Sequence, residues 1–168
     1  AGLIAAHGHA LGIAPDATIL PVRASLTQET LFIREASIAI EWAVDNGATV
    51  LCLAFASPTP NIALEAAIEY AVAHDVVVVA GVGNTPDIQG PAYPAAYPGV
   101  VGAAGIDRDG NHADISAISP AADLAAPATV IVSTETRSEV PAGYGARTGT
   151  SDATAIIAGV AALIRAKY

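Results

Sequence analysis

Val76-Val77-Val78-Val79-Ala80, running into Gly81-Val82-Gly83-Asn84, decides the architecture. Four valines and an alanine without a polar interruption read as a strand that must be covered on both faces. Such strands belong to parallel sheets lying between helices, because an antiparallel sheet with one wet face alternates apolar and polar residues. Upstream, Thr49 to Phe55 is a second continuous apolar run, too short for a helix. Downstream, Val100 to Ile106 is a third, closed by the turn Asp107-Arg108-Asp109-Gly110. Helical patterns separate them. Residues 28 to 46 read as a helix stopped by Gly47, and Asn61 to His74 as a helix with Asn61 as its cap. The β-α-β-α-β alternation predicts an α/β fold, doubly wound, with a mainly parallel sheet and helices on both faces.

The flanks are less regular. Residues 17 to 23 (Ala-Thr-Ile-Leu-Pro-Val-Arg) read as a strand, and Pro21 puts it at an edge or a bulge. From Ile115 to Thr134, short extended pieces are broken by Pro120 and Pro127. Ser151 to Lys167 is a helix apolar on nearly every face, which predicts a buried element. In sheets of this kind chemistry gathers at the carboxyl ends of the strands.

Composition bounds the rest. The chain has 168 residues, 53% of them hydrophobic, which fits a single domain spanning residues 1–168 with a sizeable core. Its mean hydropathy of +0.50 reflects an Ala/Val/Ile-rich interior. No apolar run reaches the ~18 residues that a transmembrane segment needs. Seven basic against 16 acidic residues give a net charge of -9, which argues against nucleic acid as a partner. Cys52 is the one cysteine, so no intrachain disulfide forms, and its apolar neighbours predict a small core residue. There is no methionine, and the opening Ala1-Gly2-Leu3-Ile4 lacks the marks of a signal peptide. The expectation is a processed product or an excised piece.

Two short stretches could carry chemistry. Gly149-Thr150-Ser151-Asp152 opens the last helix. A hydroxyl there reads either as a helix cap or as a nucleophile at the positive end of the helix dipole. Gly149 permits close approach of another part of the chain. Asn84, at the end of the most apolar strand, reads either as a turn former or as an amide that donates to an oxyanion. A nucleotide-binding reading of Gly81-Val82-Gly83 fails because no third spaced glycine opens a helix.

Taken in order, these stretches resemble the subtilisin-like serine peptidases (subtilases), mycosin-type members in particular. The resemblance is carried by Gly12-Ile13-Ala14-Pro15-Asp16-Ala17, Ala80-Gly81-Val82-Gly83-Asn84 and Tyr93-Pro94-Ala95-Ala96-Tyr97-Pro98. It continues through Asp123-Leu124-Ala125-Ala126-Pro127 and Gly149-Thr150-Ser151, then Ala158 to Leu163. It implies a subtilisin-like fold, incomplete at both ends. It also implies Ser151 as nucleophile and Asn84 as oxyanion donor. Ala54, Phe55, Ala56 and Gly83 would then line the site for a peptide or protein substrate.

By the same resemblance the base and its orienting Asp lie outside the chain. The family's His-Gly-Thr-x-Val-Ala-Gly pattern would end at Ala1-Gly2. The rival alignment, with His7-Gly8-His9 as the base motif, leaves only four residues between His7 and Gly12. A separate amino-terminal fragment is therefore the implied partner, supplying Asp and His. The alternative is a catalytically dead relative that binds peptides or proteins or acts as a scaffold module. Ala54-Phe55-Ala56, where the family usually has Ser-Leu-Gly, and Asp152 beside the nucleophile favour that alternative. No cofactor is expected from the residues; Ca²⁺, and a place in the cell envelope or outside the cell, are implied by the resemblance only.

Overall fold

The computed structural model describes residues 1–25, 32–87, 89–136, 138 and 140–168. The valine run becomes β2 (Val77–Gly81), flanked by β1 (Val50–Leu53) and β3 (Val100–Ile106), with β4 (Leu124–Pro127) beyond. The sheet order is β1-β2-β3-β4 and every pair is parallel. Successive side chains on a strand point to opposite faces. On β2, Val78 and Ala80 join the cluster formed with α2 (Ile33–Asp45) and α3 (Ile62–Ala73). Val79 joins Ala103, Ala126, Ala153 and Ile157 on the face covered by α4 (Thr150–Lys167). Both faces of β2 are dry, so a strand without polar alternation is what the position demands. The α/β, mainly parallel architecture expected from the sequence is the observed one.

Local signals set the helix ends. The Asn61 side chain accepts from the N–H groups of Ala63 and Leu64, at 3.0 and 3.2 Å, and so caps α3. Gly47 follows α2 at φ +85°, a left-handed turn that suits glycine. Residues 28–31 of the expected first helix lie outside the described residues. A short α1 (Gly2–Ala5) packs on α4, with Ile13 fitted against Gly159. An antiparallel hairpin of β5 (Ile131–Thr134) and β6 (Tyr144–Arg147) stands outside the main sheet. No helix among the described residues is long and apolar enough to cross a membrane.

Three expectations are corrected. Residues 17–23 form no strand: no backbone hydrogen bond joins them to β1 among the described residues, and a groove lies beside them instead. Cys52 is exposed, not a core residue, because it points from the edge strand into that groove. Atoms around its sulfur still desolvate the thiol and raise its pKa. Finally, α4 is buried only along its first half. Ala153, Ile157 and Ala158 are in the core, whereas Val160, Leu163 and Ile164 are exposed because no described element covers them.

Candidate active site

The carboxyl ends of β1 and β2 and the amino-terminal end of α4 meet at one place. After β2, Gly83 takes φ +100°, a left-handed conformation that a side chain would strain, and delivers Asn84 to the sheet's end. Gly149 is held by its N–H to the Ala128 carbonyl at 2.8 Å. A Cβ on it would lie 3.1 Å from the Asn84 amide nitrogen, so glycine is what lets the helix begin against that side chain.

Thr150 then fixes the amide. Its backbone N–H and its hydroxyl both donate to Asn84 Oδ1, at 2.8 and 2.9 Å. Thr154 donates to the Thr150 carbonyl at 2.7 Å, tying this turn down from below. Because Oδ1 receives both donors, the NH₂ end of Asn84 is turned the other way, with no protein acceptor among the described residues.

Ser151 does not cap the helix. The N-cap is Gly149, which makes no side-chain cap bond. The Ser151 hydroxyl donates instead to the Ala54 carbonyl just beyond β1, at 3.2 Å. Its N–H, one of the free donors of a first helical turn, has no partner among the described residues. A cleft of about 190 Å³ is lined by all six residues singled out from the sequence: Ala54, Phe55, Ala56, Gly83, Asn84 and Ser151. No lining residue carries a formal charge. Ser57 and Tyr93 clamp its two rims together through paired backbone hydrogen bonds of 2.8 Å each.

Asp152 follows Ser151 and is not among the residues that line the cleft. Partial burial raises the Asp152 carboxyl above its ordinary pKa, the Arg147 charge opposes this, and Glu135 adds to it. Arg147 is itself engaged with Glu135 through both ends of its guanidinium, one bond measuring 2.7 Å. Burial outweighs the attraction of a cation already paired and largely exposed.

No imidazole hydrogen-bonds Ser151 among the described residues. His7 is exposed in the loop after α1, and His9 stands edge-on to Tyr144 with ring centroids 6.5 Å apart. His74 caps the end of α3, and His112 bridges to Ile106. Among the described residues no group of three or more His, Cys, Asp or Glu gathers. Asp107 turns its carboxylate onto N–H groups of its own loop, which hold its pKa below the usual range.

Sequence reasoning passed over Thr150 and the Ser57–Tyr93 clamp. Gly149-Thr150-Ser151 was in view, but the Thr hydroxyl acquires its role only through a contact 66 residues away. Nothing local announces it.

The sequence and the fold are similar to those of known proteins. The sequence profile of the subtilase family matches residues 1–168. The thermostable alkaline protease of Halalkalibacterium halodurans is 33% identical over 171 residues, covering 100% of this chain and 46% of the relative. The M-protease of Shouchella clausii is 34% identical over 170 residues, covering 99% and 43%. Among solved structures, sphericase superposes with a TM-score of 0.87 at 26% identity, covering 99% of this chain and 61% of that one. The self-cleaved protease domain of PatA gives 0.84 at 26% identity, covering 96% and 63%. This chain spans less than half the length of those two curated relatives. With a profile match from the first residue to the last and a parallel-sheet core shared with such proteases, the chain belongs to the subtilase family.

Proposed function

We propose that this chain is the nucleophile-bearing portion of a subtilisin-like serine endopeptidase, completed by an amino-terminal fragment that supplies the His base and its orienting Asp. The observation that carries the reading is the one cleft that the Ser151 hydroxyl, the Ser151 N–H and the NH₂ end of Asn84 share, the last two without an acceptor among the described residues.

The chemistry follows from those groups. The imidazole of the partner fragment takes the Ser151 proton as Oγ bonds to the carbonyl carbon of a peptide. The carbonyl oxygen becomes negative, and Asn84 Nδ2 with the Ser151 N–H donates to it. The C–N bond then breaks, the imidazole returns the proton to the leaving amine, and water hydrolyses the Ser151 ester. Alone, the chain lacks the proton acceptor. In subtilisin, the relative for which it was measured, losing the Ser or the His costs about 2 × 10⁶ in rate. A substrate that is a peptide or protein, and a location in the cell envelope or outside the cell, belong to the same proposal and rest on family resemblance.

One observation favours a second reading, a binding or scaffold relative without activity. A partly buried carboxyl, Asp152, follows the nucleophile and opposes negative charge there.

A fluorophosphonate probe separates the two. The 168-residue chain alone should label at Ser151 negligibly, and the natural protein with its upstream portion should label rapidly. An Asn84→Ala change in that natural protein should slow labelling by the equivalent of about 2.7–4 kcal/mol, a range that itself comes from subtilisin. Silence at Ser151 in the natural protein would retire the peptidase reading.

A further inference from the structure

Glu135, Arg147 and Asp152 act on one another beside Ser151, and none of them lines the cleft. Arg147 ends β6, two residues before Gly149, and Glu135 follows β5. The Glu135 side chain is only 9% exposed and lies against Gly145, where a Cβ would come within 2.9 Å of its Cγ. A carboxylate so deep is tolerated only with its cation, and removing the partner of such a pair is strongly destabilising. Arg147 supplies that cation through both ends of its guanidinium.

Two carboxylates therefore face one guanidinium, and the guanidinium is committed to the deeper of them. The Asp152 carboxyl accepts no hydrogen bond among the described residues, and its partial burial outweighs the pull of Arg147. Its charge is left to be balanced from elsewhere.

Ser151 joins this charged side to the uncharged cleft. A peptide held at Ser151 with one side chain in the cleft continues past the scissile bond over a surface that the cleft does not include. Asp152, the next residue of α4, belongs to that surface. Its negative charge opposes the oxyanion formed from a neutral substrate, and a cation on the substrate offsets it. The net charge of -9 works in the same sense, drawing basic segments toward the chain and repelling acidic ones.

We propose that Asp152 determines specificity, selecting peptides with a lysine or arginine directly across the scissile bond from the residue that occupies the cleft. The proposal rests on the peptidase reading and names a substrate class for it. A role for Asp152 in stabilising the first turn of α4 alone would leave the relative rates among substrates unchanged.

Peptide cleavage by the natural protein is the test. In a mixed peptide pool, mass spectrometry of the products reads the residues on each side of every cut bond. Lys and Arg should be enriched on one side only. A matched fluorogenic pair, Arg against norleucine at that position, then gives a ratio of kcat/KM. It should be about tenfold in favour of Arg, more than an exposed ion pair gives, because the carboxylate is partly desolvated. Added salt should lower it. Asp152→Asn and Asp152→Ser, two neutral replacements, should each abolish the preference. No enrichment on either side, or a preference that survives both replacements, would overturn the proposal. A fluorophosphonate, which carries no residue beyond the scissile bond, keeps the failures apart. Labelled Ser151 without a preference for Arg removes the specificity alone. Unlabelled Ser151 without cleavage removes the peptidase reading, and this proposal with it.

Discussion

Thr150 and Asp152, the neighbours of Ser151, act on the site in opposite senses. Thr150 presents its backbone N–H and its hydroxyl to Asn84 Oδ1, and flipping that amide would set NH₂ against the N–H and lose that bond, since only the hydroxyl can turn to accept. At about 0.5–1.5 kcal/mol net for each bond, plus the cost of unmet donors, the observed orientation prevails. In the proposed reaction, the Asp152 carboxylate opposes the negative charge that develops beside Ser151. Burial raises its pKa in the folded chain, so its contribution to stability is complete below the ordinary carboxylate range and is lost as pH rises through the raised value. Asp152→Asn should therefore melt higher than the parent at neutral pH, with the gap closing in acid. Thermal unfolding across that range checks it, and a gap that widens in acid would contradict the assignment. Ser151 and Asn84, which line one cleft, stand out in the sequence because their order along the chain carries a family pattern. Thr150 does not, because a hydroxyl means nothing until its acceptor is known.

Among the elements, α3 shows how much a local signal can settle. Asn61 caps it, and the Tyr97 hydroxyl accepts from the Asn61 N–H at 2.7 Å and donates to its carbonyl at 3.0 Å. Asn61→Ala should cost about 1 kcal/mol of stability, within the 0.5–2 kcal/mol of lost caps. Urea unfolding with an unchanged slope is the check. Strands are harder to read, since a strand exists only where a neighbour pairs with it. Ala17 to Arg23 has the composition of a strand, but no strand pairs with it among the described residues, so it stays irregular. Tyr144-Gly145-Ala146-Arg147 has little strand character and becomes β6 because β5 lies opposite and Arg147 reaches Glu135. The helices α2, α3 and α4 and the strands β1, β2 and β3 were readable for the opposite reason. Their apolar periodicity and stop signals are contained within a dozen or so residues.

At the scale of the whole molecule, protection falls from the centre of the sheet outward. Val78, Val79 and Ala80 are fully buried between two paired strands, whereas β1 has one partner and a groove. In hydrogen exchange on the 168-residue chain, amides of residues 78–80 should be the slowest of the sheet and those of residues 50–53 distinctly faster. Uniform protection across β1 and β2 would mean that the edge is not open. The face of the sheet opposite α2 and α3 is covered by α4, which follows every strand of the sheet in chain order. On a ribosome adding about 5–20 residues per second, roughly 2–8 s separate the emergence of residue 127 from that of residue 167. During that interval Val79, Ala103 and Ala126 have no lid, and the nascent chain is a client for holding chaperones. The segment that ends this exposure also carries Ser151, so a half-synthesised chain never displays an assembled cleft.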